Sequence, residues 1–379
     1  MNRSVLLETL EGCVPARRGA LIVARSWMHP DRGRVGCPAH PAVIAAAEEA
    51  GLAVQAWDLG VEQQVSGETT RGEGTIFAVS YEDPGGGFRG LAVAAHRADF
   101  AARAWAGEEI ASWRSVMRTR RTFTLDPADG PAPRSGDTAA FAGVFPAQPE
   151  PQDSAWAACG CATQARCPAA GHSASAMRSF RARGDEVVLV GEPVWGSGVG
   201  VPVESGGGES YRVRSVRDAE ALTACAPERL AFVVAPGSVS VEVARLLAVL
   251  RRRFPRLRGQ HPDQWCYTMT DLLSAARSSL AESDVLLLAG AGASPVTAAA
   301  QAAAALTPVH RISALGQLRP RCIDVATLTI ADCGARLGGQ VLQVLSGLGP
   351  LGVLRRATRT ESVPVASPVG GEQTGRVRS

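Results

Sequence analysis

Short apolar runs alternate with alanine-rich amphipathic stretches along most of the chain. Each run of about four to eight apolar residues is typical of a buried strand, and apolar positions spaced three and four residues apart indicate a helix. Strands that alternate with helices favour parallel sheets covered by helices on their faces. The pattern therefore predicts an α/β fold.

The alternation falls into three α/β blocks, at 1–125, 154–258 and 259–352. Between the first two lies 126–153, which is rich in Pro, Gly and Ala and has no periodicity, so we expect a linker or surface insertion. The segment 353–379 has few large apolar residues, and its composition predicts a disordered tail.

The composition indicates a globular protein and excludes several classes of function. The chain has 379 residues, of which 46% are apolar, enough to fill the cores of two or three domains. The net charge is only +3 and the basic residues are scattered, so nucleic-acid binding is not expected. Every basic residue is arginine, which excludes a Walker P-loop and a Schiff-base lysine.

The cysteines are a candidate source of chemistry. The sequence shows neither a signal-type apolar region nor a membrane-spanning run, so we expect a cytoplasmic protein without membrane contact. In a reducing compartment, an odd number of cysteines predicts thiols or metal ligands rather than disulfides. The nine are Cys13, Cys37, Cys159, Cys161, Cys167, Cys225, Cys266, Cys322 and Cys333.

A glycine-rich turn in Ser283–Ala305 resembles a phosphate-binding loop. The stretch predicts a buried strand, a turn and then a helix, whose N-terminal N–H groups are able to bind an anion. Gly290 and Gly292 match the first two glycines of a dinucleotide fingerprint, but Pro295 replaces the third. A site for another anion is therefore favoured over a dinucleotide site, and a plain strand–turn–helix corner remains the alternative.

In each block one cysteine lies near the start of the leading helix or loop. These are Cys37, Cys167 and Cys266. A helix N-terminus stabilises a thiolate, so three such positions that converge would hold a metal cluster with one open metal site. The spacing alone does not establish a cluster, because no C-x-x-C framework is present.

Two long segments carry a resemblance to a known family. They are "RCPAAGHSASAMRSFRARGDEVVLVG" and the stretch from "LAFVVAPGSVS" through "QWCYTMTDLL" to "DVLLLAGAGAS". In order and spacing they resemble the LytB family, the 4-hydroxy-3-methylbut-2-enyl diphosphate reductases of isoprenoid biosynthesis. A fainter match, "GTIFAVSYEDPGGGFRGLAVAAHRADFAARA", extends the resemblance over most of 74–349.

The resemblance implies a fold and a cofactor. It implies three pseudo-repeated α/β domains with small parallel sheets, arranged as a trefoil around a central cavity. The resemblance also implies that a 4Fe-4S cluster is held there by one cysteine from each domain, here Cys37, Cys167 and Cys266. Cys13 is an alternative first ligand, although Cys37 is preferred because it leads directly into an amphipathic stretch. The resemblance further implies a small anionic substrate and an electron donor such as ferredoxin or flavodoxin.

Several family positions carry different residues here. The resemblance implies a proton-relaying Glu in the loop after "EVVLVG", and Glu192 is the carboxylate available there. His96 matches a family His in the first block. Ser238 and Ser294 retain hydroxyls in the substrate site, whereas Cys333 replaces a phosphate-binding Ser. A thiol at 333 is a poor phosphate donor but a strong iron ligand, so it would also be able to close the open iron site.

Two hypotheses for function follow. The first is an iron–sulfur reductase that removes the hydroxyl of an allylic diphosphate or of a diverged substrate. The alternative is a non-catalytic LytB-like protein that carries a cluster or binds a partner, because several diphosphate contacts are lost. The presence of a working proton donor, with Glu192 as the candidate, distinguishes the two.

Overall fold

The described part of the chain forms three β-sheets in the computed structural model. The structure describes residues 5–60, 72–125, 168–192, 210–292, 294–332 and 336–355. The α/β class predicted from the sequence is confirmed, with helices packed on each sheet. The predicted linker 126–153 lies outside the described residues.

The first sheet has six strands in the order β1-β5-β6-β3-β2-β4 and carries two helices. Its elements are β1 (Leu6–Val14), β2 (Ala20–His29), β3 (Gly33–Gly36), α1 (His40–Glu49), β4 (Ala53–Leu59), β5 (Gly72–Glu82), β6 (Phe88–His96) and α2 (Phe100–Arg114). The next strand, β7 (Arg120–Leu125), closes the first predicted block in sequence but pairs within the third sheet.

The first sheet is mixed, whereas the alternation of strands and helices predicted parallel pairing. Strands β1, β5 and β6 pair antiparallel along their whole lengths. The cause is a tight turn between β5 and β6, in which the N–H of Asp83 donates to the carbonyl of Gly87 and Gly86 has a positive φ of 80°. So short a connection joins antiparallel strands only, because a parallel pair requires a long crossover.

The second sheet is wholly parallel, with the strand order β11-β10-β8-β9. Its apolar strands are buried on both faces, by α3 on one and by α4 and α5 on the other. The elements are α3 (Pro168–Ala182), β8 (Glu186–Val190), β9 (Ser210–Val213), α4 (Val216–Ala221), β10 (Leu230–Val234), α5 (Ser240–Arg253) and β11 (Arg258–Gly259).

The third sheet is also wholly parallel, with the order β13-β12-β14-β7-β15. Helices α6 and α7 cover one face and α9 covers the other. The elements are α6 (Thr268–Leu280), β12 (Val285–Ala289), α7 (Pro295–Ala303), β13 (Val309–Ile312), α8 (Pro320–Ile323), β14 (Thr327–Asp332), α9 (Arg336–Gly347) and β15 (Leu351–Arg355).

The start of the predicted disordered tail is wrong by three residues. Residues 353–355 belong to β15, which pairs with β7 through Arg355↔Thr124. The apolar run "LGVL", which directly follows Gly349 and Pro350, forms this edge strand and extends past residue 352. Residues 356–379 lie outside the described part of the chain.

A shared core joins the first and third units. Leu21, Val23 and Trp113 of the first unit pack in one cluster with Ile330 and Val341 of the third. Tyr81 donates a hydrogen bond from its hydroxyl to the carbonyl of Gly347, at 3.1 Å. Because this cluster is continuous, the two units form one packed body rather than two loosely tethered domains.

The helices of the described segments are all too short, or too polar, to cross a membrane.

Candidate functional site

The carboxyl ends of β8 and β10 form a crevice at the edge of the second sheet. The chain leaves β8 toward β9 on one side, and it leaves β10 through α5 toward β11 on the other. Ligands of open parallel sheets bind at such a point, where the direction of strand succession reverses. The residues that directly follow the two strands therefore line a candidate site, and they include Gly191 and Ser238.

Ser238 has the features expected of a ligand-binding hydroxyl. Its side chain is buried, with only 3% of the residue exposed, and its Oγ has no hydrogen-bond partner among the described residues. A buried hydroxyl without a partner is costly, so such a group indicates a missing ligand or water. The sequence predicted Ser238 as a substrate-binding residue, and its geometry is compatible with that role.

Gly191 allows Ser238 to occupy this position. It has a positive φ of 98°, and a Cβ placed there would lie 2.5 Å from Oγ and 2.8 Å from Cβ of Ser238. Only glycine accommodates both the backbone conformation and the close approach. The end of β8 and the loop after β10 are thereby held in direct contact.

Glu192 follows Gly191 and lies at the same edge of the sheet. Its side chain is 62% exposed, and Oε1 lies 3.7 Å from a guanidinium nitrogen of Arg214. The exposed ion pair holds the carboxylate only weakly. Glu192 is therefore close to the crevice along the chain, but its carboxylate is exposed rather than held in the crevice.

A hydrogen-bond network connects the segment that precedes Cys266 to helix α3. The side chain of Gln260 accepts from the N–H of Val234 at 3.0 Å, and its Nε2 donates to Ser173 and to the carbonyl of Gln264, both at 3.2 Å. Ser173 in turn donates to the carbonyl of Val234 at 3.0 Å. The network fixes α3, the end of β10 and the residues before Cys266 to one another.

The second and third units meet at the same edge. The N–H of Ser240, at the start of α5, donates to Oγ1 of Thr270 at 2.9 Å, and Thr270 donates to Oγ of Ser240. Val239 packs on the cluster that α6 and α7 form with the third sheet. The carboxyl edges of the two parallel sheets therefore adjoin, with Ser238 on one side of the contact and buried Cys266 on the other.

Ser294 lies at the N-terminus of α7, after the glycine-rich turn. Its Oγ accepts from the N–H of Thr297 at 3.1 Å, and Oγ1 of Thr297 accepts from the N–H of Ser294 at 2.9 Å. This reciprocal capping box satisfies the helix N-terminus internally. The predicted strand–turn–helix is present, but the hydroxyl predicted to bind substrate serves as a helix cap in this structure.

Asp332 lies at the carboxyl end of β14, directly beside Ala289 of β12. The residue is only 3% exposed, and its Oδ2 accepts from the N–H of Gly338 in the first turn of α9 at 2.7 Å. Asp332 was not among the site residues predicted from the sequence. A signal was present, since an acidic residue ends an otherwise apolar strand in "TLTIADCG".

Cys37 is buried in an apolar cluster of the first unit. It is 1% exposed, packs with Trp27, Val35 and Ala92, and burial raises the pKa of its thiol to about 12. The next residues, Pro38 and Ala39, contact the C-terminal end of α9 at Gly347. Cys37 thus behaves here as a small buried hydrophobe.

The structure does not bring Cys37 and Cys266 together. Gly347 ends α9 at the amino edge of the third sheet, and Pro38 and Ala39, the residues after Cys37, contact it. Cys266 precedes α6, which begins at the carboxyl edge because it runs back into β12. The length of a helix such as α9 separates the two edges, on the order of 15–20 Å, too far for both thiols to bind one cluster.

His96 ends β6 on the side away from Cys37. The Cys37 thiol lies beside Ala92, four residues earlier in the strand and therefore roughly 13 Å from His96. The Nδ1 of His96 accepts from the N–H of Ala98 at 3.1 Å. Gly74 of β5 pairs in register with His96 of β6 on one side and with Gly12 of β1 on the other. Cys13, the residue after Gly12, is therefore one backbone position out of register with His96.

Two predicted site residues, Cys167 and Cys333, lie outside the described residues, as do Cys159 and Cys161. Helix α3 begins directly after Cys167 and α9 begins three residues after Cys333. Within the described ranges, no group of three or more His, Cys, Asp or Glu side chains is close enough to hold a metal ion. A test of the predicted cluster therefore has to include residues beyond these ranges.

Comparison with known proteins gives a consistent set of sequence relatives. No family model matches the chain. It is 29% identical over 213 residues to a 4-hydroxy-3-methylbut-2-enyl diphosphate reductase of Chromohalobacter salexigens, covering 54% of this chain and 67% of the relative. It is 30% identical over 217 residues to reductase 2 of Mycobacterium bovis, covering 54% and 64%. A third match, to the Acinetobacter baylyi reductase, spans only 41% of that protein.

Solved structures add a weaker likeness. The reductase of Plasmodium falciparum gives a TM-score of 0.42 at 14% identity, covering 54% of this chain and 65% of that one. A second reductase structure gives 0.32 at 18% identity, covering 48% and 65%. The relationship therefore rests on the sequence relatives. Over about half of its length, the chain is similar to 4-hydroxy-3-methylbut-2-enyl diphosphate reductases, the enzymes that the resemblance in its sequence indicates.

Proposed function

We propose that the chain is a LytB-like iron–sulfur reductase whose substrate binds at the adjoining carboxyl edges of the second and third sheets. The reaction is reductive loss of a hydroxyl from an allylic diphosphate or from a diverged substrate. The observation that carries the proposal is the buried hydroxyl of Ser238, which has no hydrogen-bond partner among the described residues. It lies in a switch-point crevice, at the edge where the Cys266 segment is fixed to α3.

The proposed ligands are Cys266, Cys167 and one cysteine of the first unit. The network through Gln260 supports the pairing of the first two, because it joins the residues before Cys266 to the helix that begins after Cys167. For the first unit, the geometry supports Cys13 rather than Cys37. Cys13 lies near the end of β1 and pairs in register with Glu73, one position from the Gly74–His96 pair, whereas the residues after Cys37 contact Gly347 near the opposite edge.

A cluster held at this edge would supply electrons and an open iron to which the substrate's hydroxyl binds. Loss of that hydroxyl as water consumes an electron pair and a pair of protons, so the site also needs a proton donor. We assign the donor role to Glu192, which lies one residue from the Gly191–Ser238 contact. Ser238 would orient the substrate through its unused hydrogen-bonding capacity, and a ferredoxin or flavodoxin would provide the electrons.

A second candidate function, a cluster carrier without reductase activity, is favoured by two observations. The Ser294 hydroxyl is occupied as a helix cap, and Glu192 is exposed and paired with Arg214. Both features weaken a substrate site while leaving the cysteines in place. The two candidates differ in turnover but agree on the cluster.

The cluster is tested by anaerobic reconstitution of single cysteine variants, with iron and sulfide assays and visible absorption. We expect Cys266→Ser, Cys167→Ser and Cys13→Ser to lose most of the bound iron. Cys37→Ser should retain it. Cys322→Ser is the matched control, because Cys322 is a buried core thiol of α8 that lies in no predicted site.

The outcomes separate the alternatives. Loss of iron in Cys37→Ser but not in Cys13→Ser would overturn the assignment of the first ligand. A wild-type protein that takes up no iron, with intact thiols, would overturn both candidate functions. If the loaded protein reduces no allylic hydroxyl compound, with or without a diphosphate, the carrier function is favoured over the reductase.

A further inference from the structure

The outer strand of the second sheet, β11, ends before its neighbour β10 does. It pairs with β10 at two positions, after which the N–H of Gln260 donates to the carbonyl of Phe232 at 3.2 Å. Backbone groups along a strand point alternately to its two neighbours, so the next outward pair on β10 is the N–H and carbonyl of Val234. Main-chain pairing does not continue to Val234, because its carbonyl would need the N–H of residue 262, which is a proline.

Two buried side chains take the place of the missing strand. The amide oxygen of Gln260 accepts the N–H of Val234, and the hydroxyl of Ser173 donates to the carbonyl of Val234, both at 3.0 Å. Gln260 is 3% exposed and Ser173 is 2% exposed. Because a buried backbone group without a partner is costly, these side chains allow β11 to end and the chain to turn away.

The amide of Gln260 also fixes the turn that leads to Cys266. Its Nε2 donates to the carbonyl of Gln264 at 3.2 Å, inside the single turn formed by residues 261–265. Gln264 is only two residues before Cys266, whose side chain is buried. One side chain therefore joins the carboxyl end of β10 to the backbone directly before a proposed cluster ligand.

We propose that Gln260 is a positioning residue for Cys266, because its amide holds the turn at 261–265 against β10 and so fixes where the thiol lies. This inference rests on the proposed function, in which Cys266 binds the cluster. Gln260 acts through the backbone of the turn and not on the reacting atoms. A residue that only stabilised the fold would protect all buried thiols alike, whereas a positioning residue protects Cys266 selectively.

The test is alkylation of the cluster-free full chain with iodoacetamide, with each cysteine peptide quantified by mass spectrometry. Cys322 is the internal reference, because it is 7% exposed against 8% for Cys266 and lies in the core shared by the first and third units. Gln260→Met removes the amide and nearly keeps the side-chain volume. We expect it to speed alkylation of Cys266 about tenfold or more, since loss of a buried hydrogen bond shifts a local opening equilibrium by that order. Alkylation of Cys322 should be unchanged.

Ser173→Ala is the matched control variant. It removes a buried hydrogen bond to the carbonyl of Val234 but leaves the bond between Gln260 and Gln264 in place, so Cys266 should react as in wild type. Should Gln260→Met fail to fold, Gln260→Glu decides. Its carboxylate still accepts the N–H of Val234 but has no proton to donate to Gln264 at neutral pH, so Cys266 should again react faster than Cys322.

Equal acceleration of Cys266 and Cys322 in the Gln260 variants would overturn the proposal, and so would an unchanged rate at Cys266 or an equal gain in Ser173→Ala. After reconstitution with iron and sulfide, Gln260→Met should release iron to a chelator about tenfold faster than wild type. An equal rate of release would also overturn the proposal. If wild type binds no iron, the proposed function fails, whereas the alkylation rates still show whether Gln260 positions Cys266.

Discussion

Replacement of Gly191 by alanine should damage the candidate site through one identifiable contact. The backbone at Gly191 has a φ of 98°, which costs an alanine about 1–2 kcal/mol. The new Cβ would also lie 2.5 Å from Oγ of Ser238, 2.8 Å from its Cβ and 3.1 Å from Cγ2 of Val243. None of these atoms is the end of a long flexible side chain, so relief requires movement of the loop after β10.

The expected total loss is about 2–4 kcal/mol, because the overlap adds roughly 1–3 kcal/mol to the backbone strain. Gly184→Ala provides the matched control. Gly184 has a φ of 72°, so the backbone strain is similar, but its Cβ would meet the guanidinium end of Arg229, which is able to move away. That variant should lose only the backbone component, about 1–2 kcal/mol.

Urea unfolding of both variants, followed by far-UV circular dichroism, measures the difference. The double variant Gly191→Ala with Ser238→Gly removes both close contacts to residue 238 and should recover part of the loss. Equal destabilisation by Gly191→Ala and Gly184→Ala would refute the reasoning, since it would show that Ser238 moves freely. A free Ser238 would not hold a fixed hydroxyl in the crevice.

Two further predictions concern titratable groups. Burial raises the pKa of Cys37 from 9.0 to about 12, so the folded state holds the thiol proton more tightly than the unfolded chain does. The free energy of unfolding should therefore fall as pH rises from about 9 to 12. In urea titrations at several pH values, Cys37→Ala should show a smaller fall, and an identical pH dependence in both proteins would contradict the burial argument. Glu192→Gln should lower reductase turnover by about a hundredfold or more, because the amide has no proton to donate. It should change the free energy of unfolding by less than about 1 kcal/mol, because the ion pair of Glu192 with Arg214 is exposed. Unchanged turnover would show that Glu192 is not the proton donor.

The strands and helices of the parallel units were predictable because local pattern and tertiary role agree there. Runs such as "EVVLV" and "DVLLLA" are apolar throughout since both faces of the strand are covered, and the structure buries them. The helices between them carry apolar positions at helical spacing. Period and burial therefore indicate the same element.

The topology of the first unit was not predictable from the same pattern. "TIFAVSY" and "GLAVAAH" are apolar enough for parallel strands, and the deciding feature is the turn around Gly86. A turn of this kind forces an antiparallel pair whatever the strand composition. The pairing of Arg120–Leu125 with the third sheet was not predictable from the local pattern either, because pairing between distant segments depends on tertiary contacts.

The candidate site shows what sequence spacing does and does not determine. Ser238 was predicted from the family resemblance, and the parallel sheet brings the residues after β10 to the binding edge. Cys37 was preferred because a helix follows it, a criterion that does not distinguish the two ends of a sheet. In a parallel α/β unit, a helix that leads into a strand of the sheet runs antiparallel to that strand, and it therefore begins at the carboxyl edge of the sheet. Cys266 meets that condition through α6. Cys37 follows β3, which is short and lies within a mixed sheet, so the helix after it begins beside the C-terminal end of α9 instead. The same condition identifies Asp332, since a charged residue that ends a buried parallel strand lies at the binding edge whether or not a motif marks it.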